Sequence, residues 1–133
     1  MGFRVHVISK RAEYGDSEAF NWANEEFKDL LRNLGCTISE DSEDGYSSNW
    51  ETLVSGYEIA MGILEKMANG DSVDGYTFTN PETDEEIEIC EDDVKDSIKE
   101  VGYENRISDL LDTLRTFYNE RDKNCDWIMF SAW

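Results

Sequence analysis

The residues able to do chemistry are few in kind and heavily acidic: 31 aspartates and glutamates stand against 12 lysines and arginines, with one histidine and three cysteines. Nucleophilic catalysis needs an activated Ser, Cys or Thr and, as a rule, a histidine to take its proton. His6 is the sole histidine. It alternates with Val5 and Val7, so the period-two pattern turns it outward and gives it a structural or surface role in place of a catalytic one. Cys36 follows Gly35 at an expected helix end, where the negative pole of the dipole raises a thiol's pKa and makes a poor nucleophile. Cys36, Cys90 and Cys125 form no CxxC pair and have no histidine at ligand spacing. They read as reduced thiols, not as a disulfide framework or a metal site. Carboxylate pairs are so numerous that none is singled out for glycosidase-type chemistry. Neither GxGxxG nor GxxxxGK[ST] occurs, so no phosphate cradle is expected. The residues therefore predict a protein that is not an enzyme and needs no cofactor or metal.

One run comes closer to a known pattern. Glu40-Asp41-Ser42-Glu43-Asp44-Gly45-Tyr46-Ser47-Ser48-Asn49-Trp50-Glu51 resembles, in part, the calcium loop of an EF-hand. With Gly45 on the turn glycine, Glu40, Ser42 and Asp44 fall on the first three ligand positions, Ser48 on the ninth and Glu51 on the twelfth. The run departs from the pattern at Glu40, where a short Asp is wanted, and at Ser47, where an apolar residue is. The incoming helix also ends too early, at Gly35. The expectation is an acidic loop that holds cations weakly.

Charge is the dominant feature. The formal net charge is -19, and between Asn33 and Val94 there are 17 acids and a single base, Lys66. Such a field repels nucleic acid and anionic membrane and attracts basic surfaces. Arg4, Lys10 and Arg11 are too few to make a basic stripe, which excludes direct nucleic-acid binding. An aromatic fraction of 12% and an apolar fraction of 39% argue for a folded chain despite the charge. At 133 residues a single domain over residues 1–133 is expected. MGFRVHVISKR fits no secretory signal and no apolar run is long enough to cross a bilayer, which predicts a cytoplasmic protein.

The elements that must carry these residues follow from periodicity. Phe3, Val5 and Val7 predict a first strand. Ser17 can cap a helix with Phe20, Ala23, Phe27, Leu30, Leu31 and Leu34 on its apolar side, stopped by Gly35. An exposed acidic loop runs from Cys36 to Ser48. A second helix opens at Ser48 or Asn49 and carries Trp50, Leu53, Val54, Tyr57, Met61 and Leu64, with Ile59 and Ile63 marking another covered side. Tyr76 to Thr79 and Glu85 to Ile89 form a hairpin around Pro81, apolar inside and acidic outside. Glu91, Asp92 and Asp93 open a third helix. Beyond Gly102 a fourth carries Ile107, Leu110, Leu111, Leu114 and Phe117. Trp127 to Trp133 reads as a last strand buried beside the first. The expected fold is α+β: a small antiparallel or mixed sheet of the terminal strands plus a central hairpin, packed with about four helices.

What this frame displays is an acidic recognition surface. Glu40, Asp41, Glu43 and Asp44 in the loop, and Asp84, Glu85, Glu86 and Glu88 on the hairpin, lack a base nearby in sequence. Tyr46, Trp50 and Tyr76 are placed to supply desolvated anchors. Glu86 and Glu88, two residues apart on a strand, would stand roughly 7 Å apart and could engage an array of bases. The expected partner is a basic protein such as a nuclease or a CRISPR or restriction effector. The chain would then be a small acidic inhibitor acting by nucleic-acid mimicry, either a phage counter-defence protein (anti-CRISPR or anti-restriction) or an immunity protein against a nuclease toxin, an analogy at the level of class. The alternative is an acidic regulatory binding module without mimicry.

Overall fold

The computed structural model describes residues 4–10, 13–20, 23–41 and 48–132, with the backbone alone for 9–10, 13–18, 41 and 48. The chain runs β1 (Val5–Lys10), β2 (Glu13–Ala19), α1 (Asn24–Asn33), β3 (Ser39–Asp41), β4 (Ser48–Leu53), α2 (Val54–Ala68), β5 (Thr77–Thr79), β6 (Glu86–Glu88), α3 (Glu91–Glu100), α4 (Ile107–Glu120) and β7 (Trp127–Ala132). The expected α+β class is the one observed. Five strands pair antiparallel in the order β2-β1-β7-β4-β3, while β5 and β6 form a separate two-stranded sheet.

Terminal strand β7 lies beside β1, as its apolarity predicted, with Val5 opposite Ala132 and Val7 opposite Phe130. It also pairs along its whole length with β4, from Ser48 opposite Ala132 to Leu53 opposite Trp127, and so is the central strand. Alternation along β1, β4 and β7 sends Val5, Val7, Trp50, Ile128 and Phe130 into the core. The Phe130 ring is the meeting point of three helices. Its centroid is 5.6 Å from Phe27 of α1, 6.1 Å from Tyr57 of α2 and 5.4 Å from Phe117 of α4. Those helices therefore share one face of the sheet, and α3 lies outside them against α1, where Asn33 Nδ2 donates to Ser97 Oγ at 2.7 Å.

Several expectations are corrected. The segment from Cys36 to Ser48 is not one exposed loop: Cys36 is buried and Ser39–Asp41 forms β3, paired with β4. Glu13–Ala19 is a strand and the first helix starts only after Ala23. Phe20 does face the core with Phe27, at 4.1 Å between rings, as helical spacing demanded. A φ of 56° at Phe20 turns the chain there, so a turn meets the same packing requirement. Trp50 lies in a strand, because Trp50 and Thr52 alternate with half-buried Asn49, Glu51 and Leu53. Helix α2 begins directly afterwards, its first N–H donating from Val54 to the Asp126 carbonyl at 2.8 Å. His6 is buried, not outward. Alternation with Val5 and Val7 does turn it to the opposite face of the sheet, but there it lies opposite Ser131, which is buried as well.

The remaining helices lie where the sequence predicts them. Tyr57, Ala60, Ile63 and Leu64 bury one broad face of α2, and half-buried Ile59 and Met61 flank it on either edge and pack on the core, so Ile63 joins the main face instead of marking a second one with Ile59. Gly102, at φ 88°, separates α3 from α4. The hairpin does not join the main sheet. Instead its inner residues Phe78 and Ile87 close on Gly35 at the end of α1.

A candidate partner-binding surface

Besides the packing of Phe78 and Ile87, a buried side chain ties the β5–β6 turn to the body of the protein. Asn80 Nδ2 donates to the Gly35 carbonyl at 3.2 Å and to Thr37 Oγ1 at 3.1 Å. Its Oδ1 accepts from the Glu82 and Thr83 N–H groups at 2.8 and 3.3 Å, a side-chain mimic of a backbone turn. Pro81 pre-sets the following φ, and Asp84, at φ 60°, completes the reversal into the Asn80–Glu85 backbone bond. Pairing of Thr77 with Glu88 and of Thr79 with Glu86 puts both glutamates outward, opposite the inner pair Phe78 and Ile87. Glu82, Asp84, Glu85, Glu86 and Glu88 are all exposed, and none has a base within ion-pair distance among the described residues. Sequence reasoning named all of these except Glu82.

The first helical turn of α3 extends this acidic edge. Asp92, Asp93 and Asp96 are exposed. Glu91 is instead used internally, accepting from the Val73 N–H at 3.0 Å and pairing with Lys95 at 3.5 Å. The acids of this turn were legible as helix-dipole partners, and only their placement after the hairpin adds them to its surface.

The second predicted cluster behaves differently. Glu40 is bound by Lys28 and, at 3.5 Å, by Arg32. Lys28 is 2% exposed and also pairs with Glu25 at 2.7 Å, so two carboxylates offset a cation that burial would otherwise penalise. The Lys28 hydrogen bond holds the Glu40 carboxyl below the ordinary glutamate range. Glu40 is thus not a free acid but the partner of a buried base twelve residues away. Asp41 is placed by its backbone at the end of β3. Glu43, Asp44 and Tyr46 lie outside the described residues. The segments flanking the calcium-loop-like run are antiparallel strands, with Ser39 opposite Glu51 and Asp41 opposite Asn49, where an EF-hand has helices. Among the described residues no group of three or more His, Cys, Asp or Glu is arranged to hold a metal.

Of the aromatic anchors, Trp50 is a core residue, 2% exposed, a correction to its expected place on the surface. Its ring stacks on Phe130 at 4.4 Å and its Nε1 donates to Asn24 Oδ1 at 3.0 Å. Tyr76 is half-buried, with the Lys66 ammonium 4.5 Å over its ring. That base is the lone one of the acidic stretch, and it is spent on this contact.

Two further groups are set by packing. Burial pushes the Cys36 thiol up to about 12, the direction expected but by desolvation rather than by the helix dipole. Arg106 stacks on Tyr103 at 4.7 Å instead of pairing with Glu104 or Asp109. No helix among the described residues is long and apolar enough to cross a membrane. Comparison of the chain with protein-family models, curated proteins and solved structures finds no match.

Proposed function

We propose that this chain is a small acidic inhibitor that binds and blocks a basic, nucleic-acid-handling protein such as a nuclease or a CRISPR or restriction effector, in the cytoplasm. The observation that supports it is the hairpin: five exposed carboxylates with no base within ion-pair distance among the described residues, on a turn clamped by Asn80. Acids that served only solubility would need no fixed frame. A pre-organised array of charge loses less conformational entropy on meeting lysines and arginines that otherwise hold phosphates. Either counter-defence in a phage or immunity against a nuclease toxin would use such an array.

Affinity capture from host lysate at low salt, followed by identification of the eluate, tests this directly. The expected catch is a nuclease or DNA-binding effector whose affinity falls steeply as salt rises. Reversing Asp84, Glu85, Glu86 and Glu88 together to Lys should abolish capture while the melting temperature holds or rises slightly. Undiminished capture by that folded variant would reduce these acids to a solvated face and leave the regulatory binding module as the better reading.

A further inference from the structure

Helices cover one face of the five-stranded sheet, and on the other face lies a hollow of about 290 Å³ between β1, β7, β4 and β3. Ile8 and Met129 line it from one side, Asn49, Glu51 and Ser39 from the other, and Trp50, Phe130 and Glu40, the last already held by Lys28 and Arg32, complete the lining. The register accounts for this grouping. Met129 stands opposite Glu51 and Glu51 opposite Ser39, and these residues alternate with the core residues Phe130 and Trp50. Glu51 is half-buried against this apolar surface, yet no lysine or arginine lies within ion-pair distance of it among the described residues. A carboxylate in that setting has lost part of its hydration and gained no counter-charge from the described residues.

We infer that the hollow receives an arginine side chain of a partner protein, its aliphatic stem along Ile8 and Met129 and its guanidinium on the Glu51 carboxylate. Charge complementarity selects this occupant. A second copy of the chain would bring its own net charge of -19, whereas a basic partner relieves the same field. Guanidinium is more weakly hydrated than ammonium and carries an apolar stem, which suits a site where Glu51 has no base among the described residues, Glu40 is already paired, and the wall is aliphatic. The inference rests on the proposed binding of a basic protein and adds a second contact, on a different face from the hairpin.

The test is a titration of the isotopically labelled protein with the peptide acetyl-Gly-Arg-Gly-amide at physiological salt, followed by backbone amide shifts. Saturable shifts confined to Ile8, Asn49 to Glu51 and Met129 are expected. The neutral citrulline isostere should bind at least about tenfold more weakly, since the charge-assisted bond is lost. Glu51→Gln, with an unchanged melting temperature, should remove the difference between the two peptides, and Asp84→Lys with Glu86→Lys should leave it. Shifts spread over the hairpin and α3, equal binding of citrulline, or self-association through this face in sedimentation would overturn the assignment. Because the probe is a peptide and the readout is local, the result stands whether or not capture of the partner depends on the hairpin acids.

Discussion

Lys28 and Glu40 show how a single buried residue decides which acids are available to a partner. Lys28 sits on the inward side of α1 and is nearly inaccessible, so its ammonium must be neutralised by the chain itself. Glu40 meets that need and is thereby removed from the recognition surface to which sequence spacing had assigned it. The consequence for pH has a definite sign. Glu40 has its folded pKa lowered from the ordinary 4.5, chiefly by the Lys28 hydrogen bond. Its contribution to stability is therefore complete above the unfolded pKa and lost as pH falls through the lower, folded value. Since the Glu40 side chain is 41% exposed, that contribution is small, about 0.5 to 1 kcal/mol after solvent screening. In urea unfolding between pH 7 and pH 3, Glu40→Gln should lie below the parent by this amount at neutral pH and converge with it at the acid end. A constant gap across the range would mean that Glu40 acts through packing rather than charge.

At the scale of elements, whatever carried one unambiguous period was legible in the sequence: β1, β7, the hairpin, α3, α4 and the body of α2. Errors arose where one set of apolar residues satisfied two geometries. Phe20 and Phe27 share the core whether a helix or a turn joins them, and Trp50, Leu53 and Val54 fit a helical face until β7 offers a partner strand. Long-range pairing, not local propensity, decided both cases. The candidate site was legible at the hairpin, where alternation separates Glu86 and Glu88 from Phe78 and Ile87. At Glu40 it was not, because its partner is set by tertiary contact. Gly35 is the joint between these elements, at φ 92° and so close to the hairpin that an added Cβ would lie 2.2 Å from Phe78 Cζ. Gly35→Ala should cost about 2 to 4 kcal/mol, combining left-handed backbone strain with overpacking. Gly70 has a similar φ, 87°, but open space around it, so Gly70→Ala should cost only the backbone share, about 1 to 2 kcal/mol. Denaturant midpoints check the ordering, and amide exchange in Thr77–Thr79 should accelerate in the Gly35 variant alone. Equal costs at both sites would show that the hairpin does not lean on α1.

For the molecule as a whole, the acidic excess acts in opposite directions on folding and on binding. A net charge of -19 on 133 residues opposes compaction through self-repulsion, which the core built around Phe130 must overcome. Ion pairs relieve it in part, Arg32 with Asp29, Lys95 with Glu91, and Arg115 with Glu65 and Asp112, but other bases of the described residues are held elsewhere. Lys28 is buried between its partners, Lys66 lies over Tyr76, and Arg106 and Arg121 lie over Tyr103 and Tyr118. Cations covering rings leave the outer carboxylates facing one another across solvent. Salt shortens the reach of that repulsion to about 8 Å at physiological ionic strength. Raising sodium chloride from low to moderate concentration should therefore raise the melting temperature, while the affinity for a basic partner falls by about an order of magnitude or more, carried mainly by slower association. Reversing the hairpin acids to Lys should flatten both dependences together, because the same charges generate them. The measurements are thermal melts and association kinetics across one salt series. Should the melting temperature prove indifferent to salt while binding remains sensitive, the repulsion would be local to the partner surface rather than a tax on the fold, and the acids would be compensated within the folded chain beyond the ion pairs described above.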